Sequence, residues 1–283
     1  PNTGTLPVFR TRRDAEITLS AFRRHPVLIR DGSANPWGLR FSKLFDMATA
    51  SSSFQTAQDL KQSGAIFDGW AWTRGDHRWV PLYEAKMLSH WNSRHATYDG
   101  ATQAQLNKGT LPRLREEDLD DPEIEPLARY WVTESEAFAA VPASWERDWL
   151  YGWREITNAS NERTFIPSAL PFSAVGARFC IAFAAHPPSA PLLQAVWSSF
   201  FFDYLARQKL SGAGMSFFIL KQLACPEPAA FEAVPTWGDT ALAEFVRARV
   251  LELAYTCHRM AAYAVDVMEG VPGETDPGPP FRW

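Results

Sequence analysis

Apolar and polar positions along this chain alternate in two distinct rhythms, and the order in which they occur predicts the architecture. Asp14 to Arg24 has helical spacing, with Ile17, Leu19 and Phe22 on one side and two arginines at its end. His25-Pro26-Val27-Leu28-Ile29-Arg30 has the pattern of a short strand. From about Gly69 the rhythm shortens to aromatic-rich strands: Trp70-Ala71-Trp72, Trp79-Val80-Pro81-Leu82-Tyr83 and Arg129-Tyr130-Trp131-Val132. The intervening polar stretch 97–126 ends in seven carboxylates between Glu116 and Glu125, too charged for a core, and predicts a mobile surface excursion. Trp149 to Ile156 and Thr164 to Ala169 predict a hairpin, because Asn158, Ser160 and Asn161 supply turn chemistry between them.

Helical spacing returns after residue 190. Leu193, Val196, Trp197, Phe200, Phe201, Tyr204 and Leu205 form one apolar stripe from Pro191 to Lys209, predicting a single, mostly buried helix. Ser211-Gly212-Ala213-Gly214 closes it, and Phe217-Phe218-Ile219-Leu220 has the pattern of a buried strand. Pro226, Pro228 and Pro235 mark a loop. Asp239 is placed to cap a last helix carrying Leu242, Phe245, Val246, Val250 and Leu253. Strands followed by packed helices predict an α+β fold, with a twisted mixed or antiparallel sheet.

Composition narrows the class further. The 283 residues are 46% hydrophobic, enough for a sizeable core, yet no apolar run reaches the length of a membrane span. Pro1 at one end and Phe281-Arg282-Trp283 at the other look like cuts in a longer polypeptide. Three separated cysteines, Cys180, Cys225 and Cys257, exclude a disulfide framework and point to a reducing cytoplasm. The six histidines are scattered without metal-site spacing, so no metal is expected. Net charge is −4, but its distribution matters more. Residues 1–115 carry 16 Lys and Arg against 9 acids, 116–148 carry 2 against 11, 149–221 carry 6 against 3, and 222–283 carry 4 against 9. Two basic blocks around an acidic one are suited to a basic groove on an acidic protein, or to ordinary solvated surface.

Several residues have the chemistry to use such a groove. Lys86, His90, Arg94 and His95 form a cationic ladder after the Leu82-Tyr83 strand. Arg154, Asn158, Asn161 and Arg163 surround the hairpin turn, and Arg and Asn are the side chains that pair bidentately with guanine and adenine. Arg207 and Lys209 close a helix, where they can meet phosphates or complement the helix dipole. Glu84-Ala85-Lys86, with Asp68 or Asp76 upstream, has the elements of a Mg²⁺-dependent nuclease, although a salt bridge or phosphate contact explains it as well. Asn35-Pro36-Trp37-Gly38 is a turn rather than an adenine-binding loop. Ser211-Gly212-Ala213-Gly214 follows a helix instead of opening one, so it is no phosphate cradle. No glycine-rich cofactor turn follows a strand anywhere in the sequence.

Taken together, several strings resemble one family. Asn2-Thr3 and Pro7-Val8-Phe9-Arg10-Thr11-Arg12-Arg13-Asp14-Ala15-Glu16 resemble the segment after the catalytic domain of large adenine-specific DNA methyltransferases of type IIG restriction–modification and BREX-like phage-defence systems. Pro81-Leu82-Tyr83-Glu84-Ala85-Lys86-Met87-Leu88 is similar to the Pro-Leu-x-x-Gly-Lys-x-Ile start of their recognition domains, with Ala85 in place of Gly. Arg129-Tyr130-Trp131-Val132, Trp153-Arg154-Glu155-Ile156 and Asn161-Glu162-Arg163-Thr164 resemble further strand motifs. Trp197-Ser198-Ser199-Phe200 through Asp203-Tyr204-Leu205-Ala206-Arg207-Gln208-Lys209 resembles a helix shared with type I specificity subunits, with Ser198 where Asn is usual.

The resemblance implies a target-recognition-domain-like fold, with a connector over residues 1–68 and a recognition domain over 69–283 carrying the excursion 97–126. It implies a fragment that binds double-stranded DNA without catalysing anything alone. The partner would be its own methyltransferase domain, which holds S-adenosylmethionine, and this fragment itself would need no cofactor. DNA contacts are then expected from Arg12, Arg13, Lys86, His90, Arg94, His95, Arg154, Asn158, Asn161, Arg163, Arg207 and Lys209. Other readings are a protein-interaction module of a defence complex, suited to the 12 tryptophans, and the Glu84/Lys86 nuclease.

Overall fold

A computed structural model describes residues 9–269 and 276–282. Asn2, Thr3, Pro7 and Val8, which open the first family-like string, lie outside the described residues, as do Pro1 and Trp283. The chain begins with α1 (Arg12–Arg24), capped reciprocally by Thr11 and Asp14. It continues through β1 (Arg40–Ser42), α2 (Ala57–Gln62), β2 (Ile66–Phe67), β3 (Trp72–Arg74) and β4 (His77–Tyr83). The short helices α3 (Gln103–Asn107) and α4 (Glu116–Leu119) lie in the acidic segment. Then come β5 (Trp131–Thr133), α5 (Glu134–Ala140), β6 (Trp149–Arg154), β7 (Pro167–Pro171), β8 (Ala174–Val175) and β9 (Phe179–Phe183). Helices α6 (Ala190–Ser198), α7 (Phe200–Lys209), α8 (Phe217–Leu220), α9 (Leu242–Ala254) and α10 (Ala261–Met268) complete the order.

The fold is α+β with two sheets. One is antiparallel in the order β1-β9-β6-β7. The other has the antiparallel order β2-β3-β4-β5, and β8 pairs in parallel with β4. The expected hairpin is present: β6 and β7 pair from Trp149↔Pro171 to Trp153↔Pro167. Gly152 is required inside β6, because a Cβ there would meet the Cys180 carbonyl of β9 at 2.0 Å. Beneath this sheet, Trp153 packs edge-on against Phe41, Trp197 and Phe217, and Tyr151 stacks on Trp197.

The described residues before 69 pack on those that follow. β1 pairs with β9, Phe45 pairs with Gly176, and Gln55 bridges Trp131, so one hydrophobic core spans both sides of the expected boundary at 68/69. His25 to Arg30 belongs to neither sheet; its backbone instead pairs with residues 221–225.

Three expectations for the residues after 190 change. The stripe from Pro191 to Lys209 is broken, because Ser199 has extended backbone (φ −67°, ψ 148°) and caps α7 by accepting from the Phe202 amide. Phe217 to Leu220 is one helical turn, not a strand. The extended pairing occurs just upstream, where Thr157 and Met215 amides bond Ala213 and Glu155 carbonyls. Asp239 does not cap α9, whose N-cap is Ala241.

Candidate functional site

The hairpin tip between β6 and β7 is exposed, yet it is fastened from below at every few residues. Within the tip, Asn158 Oδ1 accepts from the backbone and hydroxyl of Ser160, a turn that Asx side chains make well. Thr157 Oγ1 donates to the Thr164 carbonyl at 2.6 Å, closing the neck. The deeper fastening comes from α7. Asp203 is buried there, and its Oδ1 accepts from the Thr164 and Phe165 amides, both at 2.7 Å. One turn later, Arg207 donates to the carbonyls of Ala159, Asn161 and Glu162, at 2.5, 2.9 and 3.0 Å. Arg207 also meets Asp203 Oδ2 at 3.1 Å. An acid and a base four residues apart on α7 thus hold opposite ends of the loop by charge-assisted bonds. Asn158, Ser160 and Asn161 are left on the outer surface.

Cations gather around this hairpin. Arg163 donates to the Ser198 carbonyl at 2.5 Å, and its guanidinium lies over the Phe200 ring. Arg154 donates to the Leu88 carbonyl and, at 3.4 Å, to that of Lys86. No carboxylate is ion-paired with Arg154 or Arg163 among the described residues. Burial, with Arg113 nearby, lowers the Arg154 pKa to about 10, which leaves it charged at neutral pH. His90 records the same field: burial first, then Arg163, depress its pKa to about 4. His95 is pushed to about 4 by burial, Arg154 and Arg113. Both histidines are therefore neutral near pH 7, so the cationic ladder expected from Lys86, His90, Arg94 and His95 loses two of its rungs. His90 Nε2 lies 2.7 Å from the Phe165 carbonyl and 3.2 Å from Arg163 Nε. One nitrogen cannot serve both, and a carbonyl can only accept, so His90 Nε2 carries the proton.

Arg94 is not a surface residue at all. It is fully buried, and its guanidinium donates to the carbonyls of Leu119, Asp121, Ile124 and Thr256. This corrects its place among the DNA-contacting candidates, since no phosphate can reach it. It also corrects the picture of a loose excursion over 97–126: three of those carbonyls belong to that segment, which Arg94 ties to the residues after α9.

The remaining candidates divide by position. Tyr204 of α7 donates to Asp14 at 2.7 Å, which sets the start of α1, with exposed Arg12 and Arg13, against the helix that holds the loop. Both arginines lie near Glu16, at 2.9 and 3.9 Å. Lys209 ends α7, and burial lowers its pKa. Lys86 is half-buried, 3.3 Å from Glu84 and above the Tyr98 ring, while the Tyr98 hydroxyl donates to Glu84. Glu84 is thus engaged on both sides, and Asp68 is committed to the Trp70 and Ala71 amides. Among the described residues no group of three or more His, Cys, Asp or Glu side chains is placed to hold a metal ion. Asp203 and Phe200 were not singled out from sequence as site residues. The signal for Asp203 was its spacing from Arg207, which also describes an ordinary surface ion pair on a helix.

Comparison with known protein families, curated proteins and solved structures finds no match to this chain. The structure defines a class: an α+β protein whose two sheets share a core and whose exposed polar hairpin tip is anchored from within. Among the described residues no helix is long and apolar enough to cross a membrane.

Proposed function

We propose that this chain is a DNA target-recognition unit, gripping duplex DNA on behalf of an adenine-specific methyltransferase domain that would carry S-adenosylmethionine. The observation that supports it most is the loop Asn158–Glu162. A surface loop held by a buried Asp203 and by Arg207 keeps its geometry before binding, which lowers the ordering cost of recognition. Asn161 is an exposed amide of the type that reads adenine in the major groove, and Asn158, exposed beside it, holds the turn through Ser160. Arg154 and Arg163, with no carboxylate to neutralise them, supply the positive field beside the loop, and Arg12 and Arg13 extend it along α7. The three cysteines are buried and unpaired, which suits a reducing cytoplasm.

A second reading rests on a different feature. Trp237 and Phe245 are exposed and pack edge-on at 5.1 Å, an aromatic surface pair suited to docking another protein. The two readings separate in one titration. Fluorescence anisotropy against random-sequence duplex should show binding that weakens steeply between about 50 and 200 mM salt, each neutralised phosphate contributing roughly −0.9 to the log–log slope. Arg12→Ala and Arg13→Ala should each make that slope shallower by about one contact. Absence of binding at the lower salt would abandon the DNA reading for the protein-docking one.

A further inference from the structure

The helix break at Ser199 leaves one aromatic ring outside the core. Phe200 is 84% exposed, the most exposed large apolar side chain among the described residues, and its neighbour Phe201 is 48% exposed. The Phe200 ring is nevertheless not loose. The Arg163 guanidinium lies 4.4 Å from its centroid, and Arg163 is itself tethered to the Ser198 carbonyl. A cation therefore covers one face of the ring, and the high exposure leaves the other face open. Phe200 is also the first residue of α7, so its amide is among the donors that no intrahelical carbonyl satisfies. Beside it stands the braced loop with Asn158 and Asn161.

An open aromatic face, a fixed guanidinium and a helix start make up the features of a nucleotide: a planar base for the ring, and a phosphate for the cation and amides. A neutral protein surface would have use for the ring but would leave the cation next to it unpaired. We infer that Phe200 is a base-stacking side chain, which enters the DNA at a base step or takes the face of an unstacked base when the loop docks. The inference rests on the DNA reading above and deepens it. Insertion is cheapest at flexible pyrimidine–purine steps, so those steps should be favoured near the point where the loop binds.

The test uses the whole chain, Phe200→Ala, Phe200→Trp, and duplexes carrying 2-aminopurine at successive positions. The ring makes no core contact, so thermal unfolding of both variants should coincide with wild type. Phe200→Ala should weaken duplex binding about tenfold, the loss typical of one base–aromatic stack. The salt slope should be unchanged, because no phosphate contact is removed. The 2-aminopurine emission rise that reports unstacking should accompany wild-type binding, persist in Phe200→Trp and vanish in Phe200→Ala. If wild type binds duplex and Phe200→Ala binds it equally well, the stacking role is overturned while the DNA reading stands. A shallower salt slope in Phe200→Ala would also overturn it, by showing that the ring only positions Arg163. If wild type binds no duplex at all, both readings fall together.

Discussion

Glu125 offers the sharpest quantitative test of how this chain is held together. Part of the residue reaches solvent, but both carboxylate oxygens are buried, with the Cys257 thiol beside them. Burial raises its pKa from the usual 4.5 to about 7, against the opposing pull of Cys257, Arg94 and Arg259. The folded state therefore binds this proton more tightly than the unfolded chain does. Stability tied to Glu125 is fully present below about pH 4.5 and is lost as pH rises to about 7. At about 1.36 kcal/mol per unit, the full difference is about 3 kcal/mol. Glu125→Gln keeps the shape of the neutral acid at every pH. It should match wild type near pH 4.5 and exceed it by up to about 3 kcal/mol above pH 7. Urea unfolding of both proteins across that range measures it. His90 and His95, whose pKa values are depressed to about 4, lose stability in the opposite direction, as pH falls below about 6.5. That slope is common to both proteins and cancels in their difference. A difference that stays flat with pH would refute the reasoning, because it would mean that Arg94 holds Glu125 ionised throughout.

Two further outcomes follow from the buried clamps. Arg94→Met should cost about 3–5 kcal/mol, because it strands the buried carbonyls of Leu119, Asp121, Ile124 and Thr256. Urea unfolding measures the loss, and limited proteolysis should show new cleavage between 114 and 126. An uncleaved segment would count against Arg94 as its anchor. Asp203→Asn should cost about 1.5–3 kcal/mol through the weakened bonds to Thr164 and Phe165. Hydrogen exchange at those two amides should accelerate and duplex affinity should fall. Unchanged protection would dismiss Asp203 as the brace of the loop.

The parts of this fold governed by local rules were legible in the sequence. Strand-like runs rich in apolar residues on either side of Asn158-Ala159-Ser160-Asn161 marked the β6–β7 hairpin, and the helical spacing after Asp14 marked α1. The break between α6 and α7 was not legible, because apolar spacing continues through it. A serine whose hydroxyl caps Phe202 reads, in a sequence, like any serine in a helix. The cost of missing it was specific: Phe200 was counted as core when it is the most exposed ring described. The charged residues failed differently. Sequence shows that Arg94, Arg163 and Arg207 are cations, but not that backbone carbonyls claim them, since those acceptors lie 25 to 162 residues away.

That distinction changes the expected sign of a mutation. Asp203 is an anion beside a surface that the DNA reading requires to be positive. If attraction between net charges governed binding, neutralising it would strengthen the grip on phosphates. If geometry governs binding, the same change weakens it, because Asp203 fixes Thr164 and Phe165 and meets the arginine that fixes Ala159, Asn161 and Glu162. The brace should win. The carboxylate is buried and already met by Arg207, so little of its field reaches solvent, whereas its loss releases the loop that presents Asn158 and Asn161. On the DNA reading, the surface cations would set how tightly any duplex is held, and the Asp203–Arg207 pair on α7 would set whether one sequence is preferred to another.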